Sequence, residues 1–179
     1  MVYVHLANGF EEVEALTVVD LLRRAEIPVK TVSIEDKVVA GAHNIPVTAD
    51  LLFKEADYEN CTMIVLPGGM PGTINLENHQ GLSKVIDEFY KKKKYISAIC
   101  AAPMILGHKG YLNNKIATIY PGMEDELGDI MEHSKDKVAR DGHIITGRGP
   151  GCAMAFALAI IEILKGHDKM LEIKTELVY

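Results

Sequence analysis

The sequence predicts an α/β fold: a mostly parallel sheet sandwiched between helices. Two observations carry this. Short apolar runs at residues 2–7, 62–66 and 95–99 alternate with segments of helical periodicity. Each of these runs then breaks into a turn bearing Gly, Pro or Cys, and open α/β sheets place their sites at such strand ends. With 179 residues, 48% hydrophobic and 25% charged, residues 1–179 are read as one domain with a sizeable core.

In chain order, residues 2–7 form the first buried strand, turning at Asn8-Gly9. Phe10 opens a helix that runs to about Ala25. Glu11, Glu12 and Glu14 crowd its first turns, where the helix dipole favours acids. Val13, Leu16, Val18 or Val19, Leu22 and Ala25 form its expected core stripe, and Glu11 and Glu12 are expected to be solvated. Residues 27–34 read as a second strand. Residues 38–49 hold two β-like pieces around Gly41-Ala42-His43-Asn44, a hairpin. The strand 62–66 ends in Pro67-Gly68-Gly69-Met70-Pro71-Gly72, and residues 82–90 form a helix. The strand 95–99 meets Cys100 and a further helix. Residues 115–119 read as a strand before Tyr120-Pro121-Gly122. Residues 137–139 and 143–146 pair as a hairpin turned at Asp141-Gly142. A glycine-rich loop, 147–151, leads into the apolar helix 152–165, and a polar helix covers 168–177.

A formal net charge of -6 argues against a nucleic-acid partner. Basic residues cluster only at 91–94, a solvated run that suits a helix C-terminus. No apolar run reaches the ~18 residues needed to span a bilayer, and the N-terminus lacks a signal-peptide pattern, so no membrane partner is expected. Cys61, Cys100 and Cys152 lie far apart with no CxxC. They form neither a disulfide framework nor a zinc site, and the seven histidines lack metal-ligand spacing. The expectation is a reducing cytoplasm and no metal.

Cys100 is the candidate nucleophile. In Ala98-x-Cys100-x-Ala102, small residues two before and two after let a strand reverse tightly into a helix and lift the side chain clear of the sheet. A thiol facing the helix N-terminus is expected to have a lowered pKa. The alternative is a cysteine packed as a small hydrophobe. Backbone amides of Gly68, Gly69 and Ala101 make a candidate oxyanion hole, with a plain loop turn as the alternative at Pro67-Gly68-Gly69. Glu14 falls near the core side of its helix, where a carboxyl group must be paired or protonated. A protonated Glu14 beside Cys100 would favour the thiolate and shuttle a proton. The alternative is a solvated residue of the helix start. Gly147-Arg148-Gly149-Pro150-Gly151 lacks the Lys-Ser/Thr of a phosphate loop and reads as a tight turn. Arg148 remains a candidate to meet an anion or a partner subunit.

Taken together, Ala7-Asn8-Gly9-Phe10-Glu11-Glu12-Val13-Glu14, Val19-Asp20-Leu21-Leu22-Arg23-Arg24-Ala25, Val65-Leu66-Pro67-Gly68-Gly69, Ala98-Ile99-Cys100-Ala101-Ala102-Pro103 and Arg148-Gly149-Pro150-Gly151 resemble the ThiJ/PfpI superfamily. Within it the resemblance is to the branch of the Parkinson disease protein and its bacterial relatives. The resemblance implies a flavodoxin-like three-layer sandwich with class I glutamine-amidotransferase-like topology, and a homodimer. It makes Cys100 the reactive elbow cysteine, Glu14 its protonated partner, and the amides of Gly68, Gly69 and Ala101 the lining of the hole. In such dimers the first helix forms much of the interface, which would bring Arg24 and His43 near the neighbouring site.

Two departures from the family pattern matter. Tyr120 stands where the animal protein carries a site histidine, and Ala101 follows Cys100 where the protease branch has His. Peptidase activity is therefore not expected. Nor is amidotransferase chemistry, because none of His108, His133, His143 or His167 is followed by x-Glu. The expectation is a cysteine-dependent stress protein acting without a cofactor on a small reactive carbonyl or glycated substrate, glyoxalase III-like or deglycase-like. The competing readings are a redox sensor or chaperone working through Cys100 oxidation, and a thiamine-thiazole biosynthetic role.

Overall fold

The computed structural model describes residues 1–179. Its centre is a seven-stranded sheet. Strands β1 (Val2–Leu6), β2 (Val29–Ser33), β5 (Leu51–Leu52), β6 (Met63–Leu66), β7 (Tyr95–Ile99), β10 (Val138–Asp141) and β11 (Ile144–Gly147) lie in the order β10-β11-β7-β6-β1-β2-β5. All neighbours pair in parallel except β10 and β11, the late hairpin. The parallel strands are apolar on both faces because helices cover both. Along β1, Val2, Val4 and Leu6 join one core and Tyr3 the other, as the period-2 pleat requires. The first core takes in α1 (Glu12–Arg24), α5 (Ala153–Lys165) and α6 (His167–Glu176). The second takes in α2 (Gly72–Asn78), α3 (Gln80–Lys91) and α4 (Pro103–His108). These are the three layers expected.

A second hairpin, β3 (Val38–Ala40) and β4 (Pro46–Thr48), stands apart from the main sheet and arches over the start of α1. Its turn carries His43. No helix of the structure is long and apolar enough to cross a membrane.

Several details differ from the sequence reading. Residues 115–119 do not add a strand to the main sheet. Only Ile116–Ala117 (β8) is extended, paired with Glu132–His133 (β9). The rest of the segment is held by single bonds: Thr118 N–H donates to Thr146 Oγ1 and Tyr120 N–H to Cys100 O. The short helix α2 and the two-residue strand β5 were not expected. Each is too short to show a period, and α2 begins in a Pro-Gly run that reads as loop.

Helix α1 keeps most of its expected face, with Val18, Val19, Leu22 and Ala25 buried, but its start departs from it: Val13 and Leu16 are exposed, at 52% and 37%, while Ala15 is buried. Glu12, expected in solvent, is buried too. Its Oε1 accepts from His43 N–H (2.8 Å) and its Oε2 meets His43 Nδ1 (2.9 Å). The hairpin over α1 thus takes one acid of the first turn inward and holds it below its ordinary range. Outside the site, His108 bridges Glu77 of α2 and Glu126 at 2.6 and 2.7 Å, tying the 124–127 turn to two helices. Both carboxylates raise its pKa.

Candidate functional site

Cys100 directly follows β7, as the small-residue pattern requires. Its backbone sits in the left-handed region at φ 64, uncommon and strained for a residue with a Cβ. Two bonds hold it there: its N–H donates to Gly147 O (2.9 Å), and its carbonyl accepts from Tyr120 N–H (2.9 Å). Ala98 and Ala102 are both fully buried, so larger side chains would obstruct the reversal. The side chain opens onto a cleft of about 310 Å³ at the carboxyl end of the sheet.

Glu14 comes from α1 and is fully buried. Its Oε2 accepts from Gly68 N–H at 2.8 Å, across 54 positions of sequence. Its Oε1 has no hydrogen-bond partner, and the carboxyl group lies close enough to the Cys100 thiol for each group to perturb the other. A glycine at the end of β6 is what lets them meet. A Cβ built on Gly68 would stand 2.6 Å from Cys100 Cβ, 2.9 Å from Glu14 Oε2 and 3.0 Å from Ala101 N. Gly69 has φ 87, and a Cβ there would run into Glu11 N.

Burial pushes Glu14 up to about 7, against the opposing bond from Gly68. Burial and the Glu14 charge push the Cys100 thiol up to about 12. The backbone N–H groups of Ala101 and Gly69 pull the other way without winning. Burial and the neighbouring carboxyl thus act against the low thiol pKa expected of the elbow. Helix α4 begins only at Pro103 and is six residues long, so little dipole is available to offset a buried carboxylate. The hole is corrected as well: Gly68 spends its N–H on Glu14, leaving Gly69 and Ala101 as the amides that face the sulfur.

Tyr120 lines the cleft, half-exposed, with its ring over Gly149. Arg24, His43 and Arg148 do not line it within one chain. Arg24 pairs with Asp20 on the outer side of α1. His43 is held by Glu12, and Arg148 donates from a guanidinium N–H to Lys135 O (2.8 Å). Glu11, Met70, Met123 and Pro150 do line the cleft, and the sequence reading missed them. Glu11 is the instructive one. Its position in a first turn suggested solvent, but the Phe10–Gly41 bridge and the Glu11 N–H to Gly68 O bond (2.9 Å) turn that segment under the loops. Glu11, Glu12 and His43 form a grouping of metal-binding type, with ligand atoms within 4.8 Å, although both Glu12 oxygens are already engaged by the hairpin.

The fold and much of the sequence recur in known proteins. A family profile, DJ-1/PfpI, matches residues 1–163. The chain belongs to the DJ-1/PfpI family. It is 34% identical to the Parkinson disease protein 7 homolog of Danio rerio over 177 residues, 97% of this chain and 94% of that protein. It is 30% identical to the glutathione-independent glyoxalase DJ-1 of Schizosaccharomyces pombe over 174 residues, 92% of this chain and 91% of the relative. With protein DJ-1 homolog B of Arabidopsis thaliana the identity is 35% over 96% of this chain, but the chain spans only 40% of that longer protein. Among solved structures, oxidized Toxoplasma gondii DJ-1 superposes with a TM-score of 0.94 at 33% identity, covering 99% of this chain and 97% of the other. The DJ-1/PfpI match spans the end of β6, the elbow and the loop before α5, so every residue of the cleft falls within it.

Proposed function

We propose that the protein is a cofactor-independent, cysteine-dependent enzyme of carbonyl stress, converting a small reactive dicarbonyl such as methylglyoxal, or its glycated adduct, to a hydroxy acid. One observation carries the reading: a strained elbow cysteine and a buried glutamate meet across a glycine that has no room for a side chain. The name of the Schizosaccharomyces pombe relative, a glutathione-independent glyoxalase, supports the same chemistry.

In this mechanism Glu14 takes the thiol proton, and Cys100 Sγ forms a bond to the aldehyde carbon. The carbonyl electron pair becomes a hydroxyl by receiving that proton, giving a hemithioacetal. Glu14 then takes the proton from the former aldehyde carbon, giving an enediolate, and returns it to the neighbouring carbon, while the hydroxyl proton passes to that carbon's oxygen, giving a thioester. Water hydrolyses the thioester to the hydroxy acid and frees the thiol, with no net oxidation. Gly69 and Ala101 N–H groups face the developing oxyanion. Tyr120 stands where an imidazole could shuttle protons and supplies none, so turnover is slow. The exposed Val13 and Leu16 of α1 suit the homodimer implied by the resemblance, acting as one domain in the cytoplasm.

The test is purified protein with methylglyoxal and no glutathione, measuring hydroxy-acid formation. Wild type turns over, and Cys100→Ser loses about 10³-fold or more. Turnover that survives Cys100→Ser overturns the reading. A second reading has one specific support: the Ala101 and Gly69 N–H groups around the sulfur would also hold a sulfinate, and a close structural neighbour is an oxidized DJ-1. Stoichiometric Cys100 oxidation with no turnover selects that reading.

A further inference from the structure

Three segments of the Cys100 cleft converge on one imidazole outside it. The floor, Cys100 and Ala101, runs into α4, which ends at His108. The Gly69–Met70 wall runs into α2, which carries Glu77 near its end. The wall of Tyr120 and Met123 runs into the 124–127 turn, where Glu126 N–H donates to Met123 O (3.0 Å). His108 Nδ1 lies 2.6 Å from Glu77 Oε1, and its Nε2 lies 2.7 Å from Glu126 Oε2. The far end of the turn is also seated on α4: Leu127 is fully buried, and a Cβ on Gly107 would strike Glu126 O. The near end is free of such packing, with Pro121 and Gly122 exposed. Helices α2 and α4 lie across the sheet from α1, the face through which the resemblance pairs two copies.

An imidazole that donates to two carboxylates carries a proton on each nitrogen. Neutral imidazole has one N–H, and its other nitrogen would turn a lone pair on a carboxylate oxygen, so one of the two bonds is lost. Glu126 is the one to go, being 44% exposed on a short turn, whereas Glu77 is 26% exposed on a helix. Glu126 and Glu77 are the charges that act on His108, and both hold its proton above the ordinary 6.5. Charges on the neighbouring elements are engaged elsewhere or solvated. Asp87 of α3 takes Lys109 and Tyr111 (each 2.7 Å), Glu124 accepts from Gly122 N–H (2.8 Å), and Asp125 is exposed. We propose that His108 is a positioning residue for the cleft mouth: as an imidazolium it clasps the Met70 wall to the wall of Tyr120 and Met123, and on losing a proton it releases Glu126 and lets the mouth widen. Below the step the cleft admits small compounds, and above it larger adducts also reach Cys100. The inference concerns access to Cys100 and is independent of the reaction Cys100 performs.

The test uses two neutral methanethiosulfonates of different bulk, the methyl and the benzyl reagent, between pH 6 and 9. In each case the Cys100 thiolate displaces methanesulfinate and forms a mixed disulfide. Rates are mapped at the Cys100 peptide, apart from Cys61 and Cys152, and the benzyl rate is divided by the methyl rate. That ratio cancels the thiolate fraction, which rises with pH for both. In wild type the ratio is expected to rise about threefold in one step centred above pH 6.5, as an exposed charge-assisted bond is given up. His108→Gln is expected to hold the high ratio at every pH. Glu126→Gln keeps the size of the side chain and takes away one of the two charges, so the His108 ring, followed by NMR, should titrate lower than in wild type. A flat wild-type ratio overturns the inference. So does a step that survives His108→Gln, which would belong to Glu14, or a His108 titration unmoved by Glu126→Gln. Each of these results leaves the nucleophile reading intact, because that reading stands or falls with turnover in Cys100→Ser.

Discussion

Cys100 and Glu14 lose their protons as a coupled pair. Burial raises both, and the Glu14 charge raises the thiol further, so once the carboxyl ionises one proton remains between carboxyl and thiol. Below about 7 both groups are protonated and nothing can take the thiol proton. Activity should therefore rise with pH through about 7, and Glu14→Gln should remove that limb while lowering turnover about 10²–10⁴-fold. In the same variant the thiol should titrate below about 12, because a negative charge has gone. A thiol titration followed by thiolate absorbance checks this, and an unchanged value refutes the coupling. Stability carries the matching sign. Folded Glu14 keeps its proton to about 7, against an ordinary value of 4.5, so its contribution is present below 4.5 and is lost as pH rises through 7. Glu14→Gln should be the more stable protein at pH 8 by up to about 3 kcal/mol, with the difference fading towards pH 4.5 in urea titrations. The elbow and the inward turn of Glu14 were legible in Ala98, Ala102 and the apolar neighbours of position 14. The sign of the thiol shift was not, because it depends on burial and on a carboxylate 86 positions away in sequence, Cys100 less Glu14.

The elements matter to the site through where they end. Strand β6 stops at Leu66, and Gly68 beyond it is a gap into which Cys100 and Glu14 both lean. Gly68→Ala fills that gap with one methyl group. Its backbone is not in the left-handed region, so the cost is steric, and overpacking of this kind typically costs 1–3 kcal/mol. The variant should fold, melt lower, and lose at least about 10²-fold in turnover, because about 1 Å of displacement at a reacting group costs that much. Normal turnover in a folded Gly68→Ala would show that the Glu14–Cys100 approach is not needed. The glycines were visible in the sequence, but not which of them holds Glu14 and which faces the sulfur. Helix α1 shows why faces are harder to read than elements. Its extent was close to Glu12–Arg24, yet Glu12 turned inward because its partners, at His43 and Ile45, lie on a hairpin more than thirty residues on.

At the scale of the whole molecule, the alternation of strands and helices was sufficient to specify the three layers, since each parallel strand has to be covered on both sides. What stayed hidden were the short pieces, α2, β5 and the β8–β9 pair, which tertiary bonds make and periodicity does not. The packed interior also holds His5, fully buried on β1 with Nε2 bonded to Tyr58 Oη at 2.9 Å and Nδ1 without a partner. Burial lowers its pKa to about 3 from 6.5. The sign is that of acid denaturation: the stability is present above 6.5 and is lost as pH falls towards 3, by about 2 kcal/mol at pH 5. His5→Gln should flatten that decline in thermal melts between pH 7 and 4. A slope identical to wild type would place the acid sensitivity elsewhere.

The order β7-β6-β1 puts the reacting groups at the ends of adjacent central strands, while the cleft mouth, at Met70, Tyr120, Met123 and Pro150, belongs to the connections between elements. Those two parts answer to different constraints. A change at Cys100, Glu14 or Gly68 meets a filled interior, whereas a change at the mouth meets solvent. The scaffold can therefore reshape what the cleft admits over generations by revising loop residues one at a time, with the packed groups kept intact beneath them.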